Sequence, residues 1–168
     1  MLAKLEAKAK KYALMADIVS PAKRSRMMAG IKGENTKPEI IVRKLLHANG
    51  YRFRLHRKDL PGKPDIVLKK HKAVILVEGC FWHGHENCHL FRLPKSRTEF
   101  WQEKIGANKT RDSANVVKLR QLDWRVMRVW ECALKGKGRL DIEDLAVCFR
   151  KFLECSEPDF FDLRGDVP

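Results

Sequence analysis

The sequence has no long apolar stretch, no signal-peptide pattern and no internal repeat. The missing apolar stretch disfavours a protein that spans a membrane, and the missing signal pattern leads us to expect a cytoplasmic protein. Cysteine is scarce, with five residues in a chain of 168, and this odd number argues against a framework of disulfide bonds. A chain of this length predicts one compact domain with its own core.

Acidic residues are fewer than basic residues. The sequence contains 35 lysines and arginines against 21 aspartates and glutamates, which gives a formal net charge of +14. Such an excess is typical of a protein that binds a polyanion, and nucleic acid is the partner that it favours over a membrane surface. A soluble basic protein without such a partner is the alternative.

Two cysteines, two histidines and two adjacent aromatic residues lie within the ten residues up to Cys88. The spacing of Cys80, His85 and Cys88 lets one loop present two thiolates and an imidazole to a zinc ion. A closed site needs a fourth ligand, and Cys132 is the best remote candidate because structural zinc often joins a local cluster to a second segment. His83 is then left without a structural task.

The apolar patterns predict an α/β sandwich with a central sheet. Thr36 with Glu39 three residues later is typical of a capping box at the start of a helix with an apolar stripe. The patterns predict a first helix that Asn49-Gly50 stops, strands at 51–54, 66–68, 73–77 and 124–130, a long polar helix with breaks that starts at 96–99 and ends at 122, and a last helix at 141–154.

The ends of the chain differ from the middle in composition. Residues 1–19 predict a flexible basic extension, and residues 156–168 predict an acidic, peripheral tail. Residues 20–32 combine basic and flexible apolar side chains, as an arm that contacts DNA would, although a solvated charged face is the alternative. The basic candidates in this segment are Lys23, Arg24 and Arg26.

A second pattern indicates a metal site. The rigid turn at 60–64 delivers Asp65 to the start of a strand, and a buried strand ends beside polar groups about a dozen residues later. Asp65 can supply a hard oxygen ligand for Mg²⁺, with another oxygen from the far end of the second strand. Turn chemistry alone is the alternative, but the basic charge and the unassigned His83 favour the metal site.

These residues resemble one family, the very short patch repair (Vsr) mismatch endonucleases, which are relatives of the PD-(D/E)XK nucleases. The resemblance covers about residues 20–155 and is specific, because several rare strings of aromatic, cysteine and histidine residues occur in the family's order. The matching stretches are residues 60–65, 79–83, 97–108, 111–112 and 124–134. The resemblance implies a single restriction-endonuclease-like domain over 20–155, with a mixed sheet flanked by helices and a structural zinc site.

The resemblance also implies an activity, namely Mg²⁺-dependent nicking of one DNA strand at T·G mismatches left by deamination of 5-methylcytosine. Asp65 matches the metal-binding aspartate, and the main-chain carbonyl of Val77 matches a second ligand. His83 matches the catalytic histidine. Glu39 and Asp112 match the other acidic members of the active site.

Further matches concern structure and DNA contact. The resemblance implies four zinc ligands, which are Cys80, His85, Cys88 and Cys132. It implies that Phe81, Trp82 and Trp101 wedge into the base stack beside the mismatch, and that the basic N-terminal segment reaches across DNA. Glu78 departs from the pattern, since the family's best-known member has a histidine there; either a metal ligand or repulsion of phosphate would follow.

The implied setting is a monomer that acts on nucleoid DNA in the bacterial cytoplasm, with recruitment by a mismatch-repair matchmaker protein left open. Two other functions fit parts of the pattern. A restriction or homing nuclease with the same catalytic core would cleave matched DNA. A non-catalytic, zinc-stabilised DNA-binding module would keep the cysteines and tolerate loss of Asp65 and His83.

Overall fold

The structure is a computed structural model that describes residues 20–30 and 33–166. The extension predicted at residues 1–19 lies outside the described residues. The helices are α1 (Pro21–Ala29), α2 (Lys37–Ala48), α3 (Thr98–Gln121), α4 (Glu131–Leu134) and α5 (Ile142–Glu154). The strands are β1 (Arg54–Leu55), β2 (Ile66–Leu68), β3 (Ala73–Glu78), β4 (Arg125–Trp130) and β5 (Phe160–Leu163). The predicted mixed α/β class with a central sheet is confirmed.

The five strands form one mixed sheet in the order β1-β2-β3-β4-β5. The pairs β1–β2 and β2–β3 are antiparallel, whereas β3–β4 and β4–β5 are parallel. Parallel neighbours need long connections, and α3 and α5 lie in these connections. The apolar run of β3 therefore occupies the middle of the sheet, as its near-continuous hydrophobicity predicts.

The core lies on both faces of the sheet because side chains alternate along each strand. Ile75 and Met127 face a cluster that includes Phe149 of α5 and residues of α2. Val74 faces a second cluster, which includes Leu119 of α3. The molecule therefore has three layers, with α2 and α5 on one face of the sheet and α3 on the other.

The sequence pattern predicts that the apolar stripe of α2 consists of Ile40, Ile41, Leu45 and Leu46, and the burial of Leu45 and Leu46 is confirmed. Ile40 and Ile41 are exposed, at 40% and 36%, whereas Val42 and Leu46 are buried. The buried face begins one turn earlier, at Glu39, which is only 2% exposed. A helix that turns Val42 inward also turns position 39 inward, because residues three apart share a face.

Several boundaries differ from the sequence patterns. The strand expected at 51–54 is β1 at Arg54–Leu55, and the long helix α3 runs without breaks over 24 residues. Residues 20–32 include a helix, α1. The tail after residue 155 is not peripheral, because it contributes β5, which pairs with β4 and buries Leu163. Within the described ranges, no helix is both long enough and apolar enough to cross a membrane.

Candidate functional site

A cleft of ≈ 1170 Å³ opens where β3 ends, between the first turn of α2 and the middle of α3. Its acidic and histidine lining consists of Glu39, Asp65, Glu78, His83 and Asp112. Basic side chains also line it, namely Lys37, Lys63, Arg111 and Lys135. The structure thus brings together all four predicted catalytic residues, surrounded by cations that suit an anionic substrate.

Asp65 reaches the cleft because β2 and β3 are antiparallel. Ile66 pairs with Ile75, so the residue before β2 lies beside the end of β3. The Val77 N–H donates to Asp65 Oδ2 over 2.7 Å, which places the two predicted metal-binding positions in direct contact. Burial raises the pKa of Asp65 to about 6, against the opposing effect of the Val77 hydrogen bond.

His83 and Asp112 form a pair across the cleft. His83 Nδ1 lies 2.7 Å from Asp112 Oδ2, so the carboxylate holds the ring and leaves Nε2 as the nitrogen that Asp112 does not engage. Burial lowers the pKa of His83, but the hydrogen bond to Asp112 and the nearby Glu78 carboxylate outweigh it and raise the pKa above the usual value. At Asp112 burial acts to raise the pKa, but the hydrogen bond to His83 acts in the opposite direction, and the pKa is lowered overall.

Glu78 is buried, at 5% exposure, and faces an arginine and a histidine. Its Oε1 lies 3.2 Å from Nε of Arg128 in β4, and its Oε2 lies 3.8 Å from His83 Nδ1. Burial raises the pKa of Glu78, while Arg128 acts in the opposite direction. The positive charge of Arg128 therefore compensates the Glu78 carboxylate. The sequence analysis missed this partner because it lies 50 residues away, in the neighbouring strand.

Hydrogen bonds and an ion pair fix the side chain of Glu39. The predicted capping box with Thr36 is confirmed, since each side chain bonds the other's backbone N–H. Arg43, one turn further along α2, forms an ion pair with Glu39. The structure adds His56, which was not predicted as a site residue and lies between Glu39 and Asp65. The register of the β1–β2 hairpin could have indicated this position, because it sets the His56 N–H opposite the carbonyl of Asp65.

A second cluster lies behind the cleft. Ligand atoms of all four predicted zinc residues lie within 4.8 Å of one another, and these residues are Cys80, His85, Cys88 and Cys132. The His85 ring stacks on Trp130 with 4.0 Å between ring centroids. A hydrogen bond between the thiols lowers the pKa of Cys132 to about 5 and raises that of Cys80. These donors can hold a metal ion.

Gly84 separates the two clusters within a single loop. Its φ of +62° is in the left-handed region, and a Cβ there would lie 2.6 Å from Cγ2 of Ile105 in α3. Glycine alone fits both the conformation and the space. The turn sends His83 into the cleft and His85 into the cysteine cluster, so neighbouring histidines serve different sites.

The predicted DNA-wedging aromatics form one cluster at the cleft. Phe81 lies 5.2 Å from Trp82 and 5.3 Å from Trp101 of α3, in edge-to-face contacts between ring centroids. All three are partly exposed. The Asn108 amide donates to the Trp82 carbonyl and ties the loop to α3. The cluster is therefore a fixed, half-open apolar edge.

The predicted basic arm lies partly within the described residues. Lys23, Arg24 and Arg26 all fall in α1, and Lys23 and Arg26 are exposed. Their exposure does not test whether they contact DNA, so DNA binding by these residues stays a prediction.

A basic protein with carboxylates and histidines in an open cleft beside an aromatic edge has the site of an enzyme that cleaves nucleic acid. Comparison with known proteins agrees. The family model described as DNA mismatch endonuclease Vsr matches residues 16–89. The Vsr mismatch endonuclease of Escherichia coli K12 is 43% identical over 143 residues, which are 85% of this chain and 90% of that protein.

Two type II nicking enzymes are also similar. That of Xanthomonas oryzae pv. oryzae is 50% identical over 127 residues, which are 76% of this chain and 93% of that enzyme. That of Neisseria meningitidis serogroup A is 48% identical over 124 residues, which are 74% of this chain and 88% of that enzyme. The chain belongs to the Vsr family of DNA mismatch endonucleases, and it is a DNA endonuclease.

Proposed function

We propose that the protein is a Mg²⁺-dependent endonuclease with a restriction-endonuclease-like fold that nicks one strand of duplex DNA at T·G mismatches, in very short patch repair of deaminated 5-methylcytosine. The supporting observation is the convergence of Asp65, the His83–Asp112 pair and two members of the aromatic cluster, Phe81 and Trp82, on one cleft. The relatives named mismatch endonuclease and nicking enzyme support the same activity.

Asp65 and the Val77 main chain suit a magnesium ion. Asp65 uses Oδ2 to accept the Val77 N–H, which leaves Oδ1 as a hard oxygen donor beside the cleft. Asp65 Oδ1 and the Val77 carbonyl would hold the ion. When bound, Mg²⁺ supplies positive charge to the phosphate and to the leaving oxygen. The basic residues of the cleft, Arg111 among them, bind and orient the DNA backbone.

His83 is the general base in this proposal. Because Asp112 holds Nδ1 at 2.7 Å, Nε2 takes the proton from the attacking water. Asp112 fixes the orientation of the ring and stabilises its protonated form, as a carboxylate partner of histidine does. Glu78 adds negative charge near the same ring, and Arg128 offsets this charge.

The aromatic cluster accounts for mismatch choice. Phe81, Trp82 and Trp101 would insert beside the mispair, where separating a base step costs about a few kcal/mol and less than in paired DNA. The half-open position of the rings favours this role over a purely structural one, because a fixed, exposed apolar edge needs a partner.

Zinc suits the cysteine cluster. The His85 Nδ1 atom lies 3.5 Å from Sγ of both Cys80 and Cys132. Tetrahedral zinc with bonds of about 2.3 Å to sulfur and about 2.1 Å to nitrogen requires a separation of about 3.6 Å. Three cysteines and one histidine form a closed set, so we assign the ion a structural role that joins the loop to α4.

The test is a nicking assay on synthetic duplexes that differ only in one base pair, T·G against T·A and C·G, with each strand labelled separately. We expect Mg²⁺-dependent cleavage of one strand of the T·G duplex. The Asp65→Asn variant should be inactive, and Asp59→Asn, at an exposed aspartate paired with Arg57, should be active. Equal cleavage of the matched duplexes would instead identify a restriction or homing nuclease.

The biological setting belongs to the same proposal. We infer a monomer that acts on nucleoid DNA in the bacterial cytoplasm, with recruitment by a matchmaker protein as one route to the mismatch. Family membership disfavours the alternative of a non-catalytic DNA-binding module, since the related proteins are named as enzymes.

A further inference from the structure

His56 lies between the two carboxylates nearest the predicted magnesium site. Its Nδ1 is 3.9 Å from Asp65 Oδ1, and its Nε2 is 3.5 Å from Glu39 Oε2. The side chain is 13% exposed. Each ring nitrogen therefore faces a different carboxylate, and candidate ligand atoms of all three residues lie within 4.8 Å of one another.

The backbone determines where this ring lies. His56 follows β1 with a φ of +47°, a left-handed conformation that is strained for an L residue. Its N–H faces the Asp65 carbonyl over 3.4 Å, so the hairpin between β1 and β2 sets the two residues side by side. Strained residues of this kind cluster at functional sites.

Glu39 has little capacity left for a metal ion. Oε1 accepts from the Thr36 N–H at 3.1 Å and from the Thr36 hydroxyl at 2.8 Å. Oε2 accepts from the Asn35 N–H at 3.2 Å and from Arg43. A carboxylate offers about four lone-pair positions. Direct ligation by Glu39 would therefore break one of these bonds.

Asp65 is the opposite case. Its Oδ2 accepts the Val77 N–H, but among the described residues no group donates a hydrogen bond to Oδ1. The nearest basic atom facing Oδ1 is His56 Nδ1. An oxygen and a nitrogen that face each other at this separation can share one ion.

We propose that His56 binds, through Nδ1, the divalent ion held by Asp65, and that Glu39 supports the imidazole instead of touching the ion. The inference rests on the proposed function, because it assigns a further ligand to that same metal site. A histidine ligand commonly donates its other ring N–H to a carboxylate, and Glu39 is placed to accept it.

Ligation through Nδ1 requires the ring proton to change position. Arg43, which can only donate, lies 2.9 Å from Nε2, so the neutral ring carries its proton on Nδ1. Ligation through Nδ1 uses the other tautomer. In that tautomer Nε2–H faces Glu39 Oε2, so Arg43 must give up its contacts with Nε2 and with Oε2 to make room for the new donor.

A nitrogen ligand changes which ions bind well. Mg²⁺ prefers oxygen donors, whereas transition ions gain from an imidazole, so the site should bind Mn²⁺ more tightly than an all-oxygen site would. His56→Asn is the best variant, because asparagine tolerates the left-handed conformation of this residue. His56→Gln is the second variant.

The experiment is pulsed electron paramagnetic resonance of the full chain with Mn²⁺ as the probe, after one equivalent of Zn²⁺ has been added to fill the cysteine cluster. We expect modulation from a directly bound ¹⁴N nucleus in the wild type and in His83→Gln, and its loss in His56→Asn and His56→Gln. Titration should show Mn²⁺ affinity reduced by about 10- to 100-fold in the His56 variants, with a smaller change for Mg²⁺.

Several results would overturn the inference. They are absence of nitrogen modulation in the wild type, its persistence in both folded His56 variants, its loss in His83→Gln alone, or failure of the wild type to bind Mn²⁺. Nicking of T·G duplex by the wild type is measured separately. Its presence with no nitrogen ligand would refute only the role of His56, and its absence would refute the proposed function.

Discussion

The cysteine cluster and the cleft use the same loop but differ in burial and in donor atoms. Cys80 and Cys132 are 0% and 3% exposed, whereas the side chains of Asp65 and His83 are 22% and 26% exposed. A buried set of soft donors suits an ion that never meets substrate, and an open set of oxygen and imidazole donors suits chemistry on a bound phosphate.

The contrast in burial indicates how the loop is stabilised. The loop at residues 79–97 has no helix or strand and little core of its own, yet it must hold His83 and two aromatic rings in place. Ligation of one end to Cys132 in α4 would fix the loop without occupying the cleft. Variants of each side should therefore fail in different ways.

The largest effect is expected at the cleft. Asp65→Asn should reduce nicking by about 10³-fold or more, because the metal site loses its charged ligand. His83→Gln should reduce it by about 10²- to 10⁴-fold through loss of the general base. Single-turnover rates on T·G duplex measure both.

These cleft variants should keep the other site intact. Metal content by atomic emission should remain near one zinc per chain, and the thermal unfolding transition should stay close to that of the wild type. Wild-type rates in either variant, or a loss of zinc, would contradict the separation of the two sites.

The next effect concerns the cysteine cluster. Cys132→Ala should lose the bound zinc and destabilise the fold by about 3 kcal/mol or more, since metal binding is coupled to folding. Zinc content and chemical denaturation measure this. Cys155→Ala, at an exposed cysteine outside the cluster, is the matched control and should retain both properties. A stable, zinc-free Cys132→Ala variant would show that the loop keeps its structure without the metal ion.

A smaller effect is expected at the aromatic edge. Replacing Phe81 and Trp82 with alanine should weaken T·G binding by about 1–3 kcal/mol per lost stack, with a much smaller loss on matched duplex. Dissociation constants must be compared at one salt concentration, because the net charge of +14 makes each of them salt-dependent. An unchanged ratio in a folded, zinc-loaded variant would mean that these rings serve packing.

The smallest effect is a displacement of the pH profile by Asp112→Asn. A general base works when neutral, so activity should rise with pH through the pKa of His83. The Asp112 hydrogen bond raises that pKa against burial, so its removal should move the acid limb to lower pH. A limb that stays in place would exclude His83 as the titrating base.

Asp65 contributes to the same limb, because burial raises its pKa to about 6 and protons then compete with the metal. Varying the metal concentration distinguishes the contribution of Asp65 from that of His83. Raising Mg²⁺ tenfold should shift the part due to Asp65 to lower pH and leave the part due to His83 unchanged.

Much of the framework was predictable because its signals are local. The capping box that starts α2 depends on residues three apart, and the β3 strand follows from a continuous apolar run. The cysteine and histidine spacing around Cys80 belongs to one loop. Each of these signals acts over a few residues, so no knowledge of the fold is needed to find it.

Other features depend on partners that are distant in sequence. The tail after residue 155 has weak strand signals, and β5 forms because the edge of β4 offers unpaired backbone groups. The outward orientation of Ile40 and Ile41 follows from the direction in which α2 packs on the sheet. Propensity cannot supply either outcome, since tertiary packing decides it.

The site shows the same division. The amino-acid sequence specifies which chemical groups are available, namely the carboxylates, imidazoles, thiols and positive charge of a Vsr family endonuclease. Folding places His56 between Glu39 and Asp65 and sets Arg128 opposite Glu78, and neither position can be read from the sequence. The physical reason is that hairpin register and strand pairing convert separations of 9 to 50 residues along the chain into distances of a few ångströms.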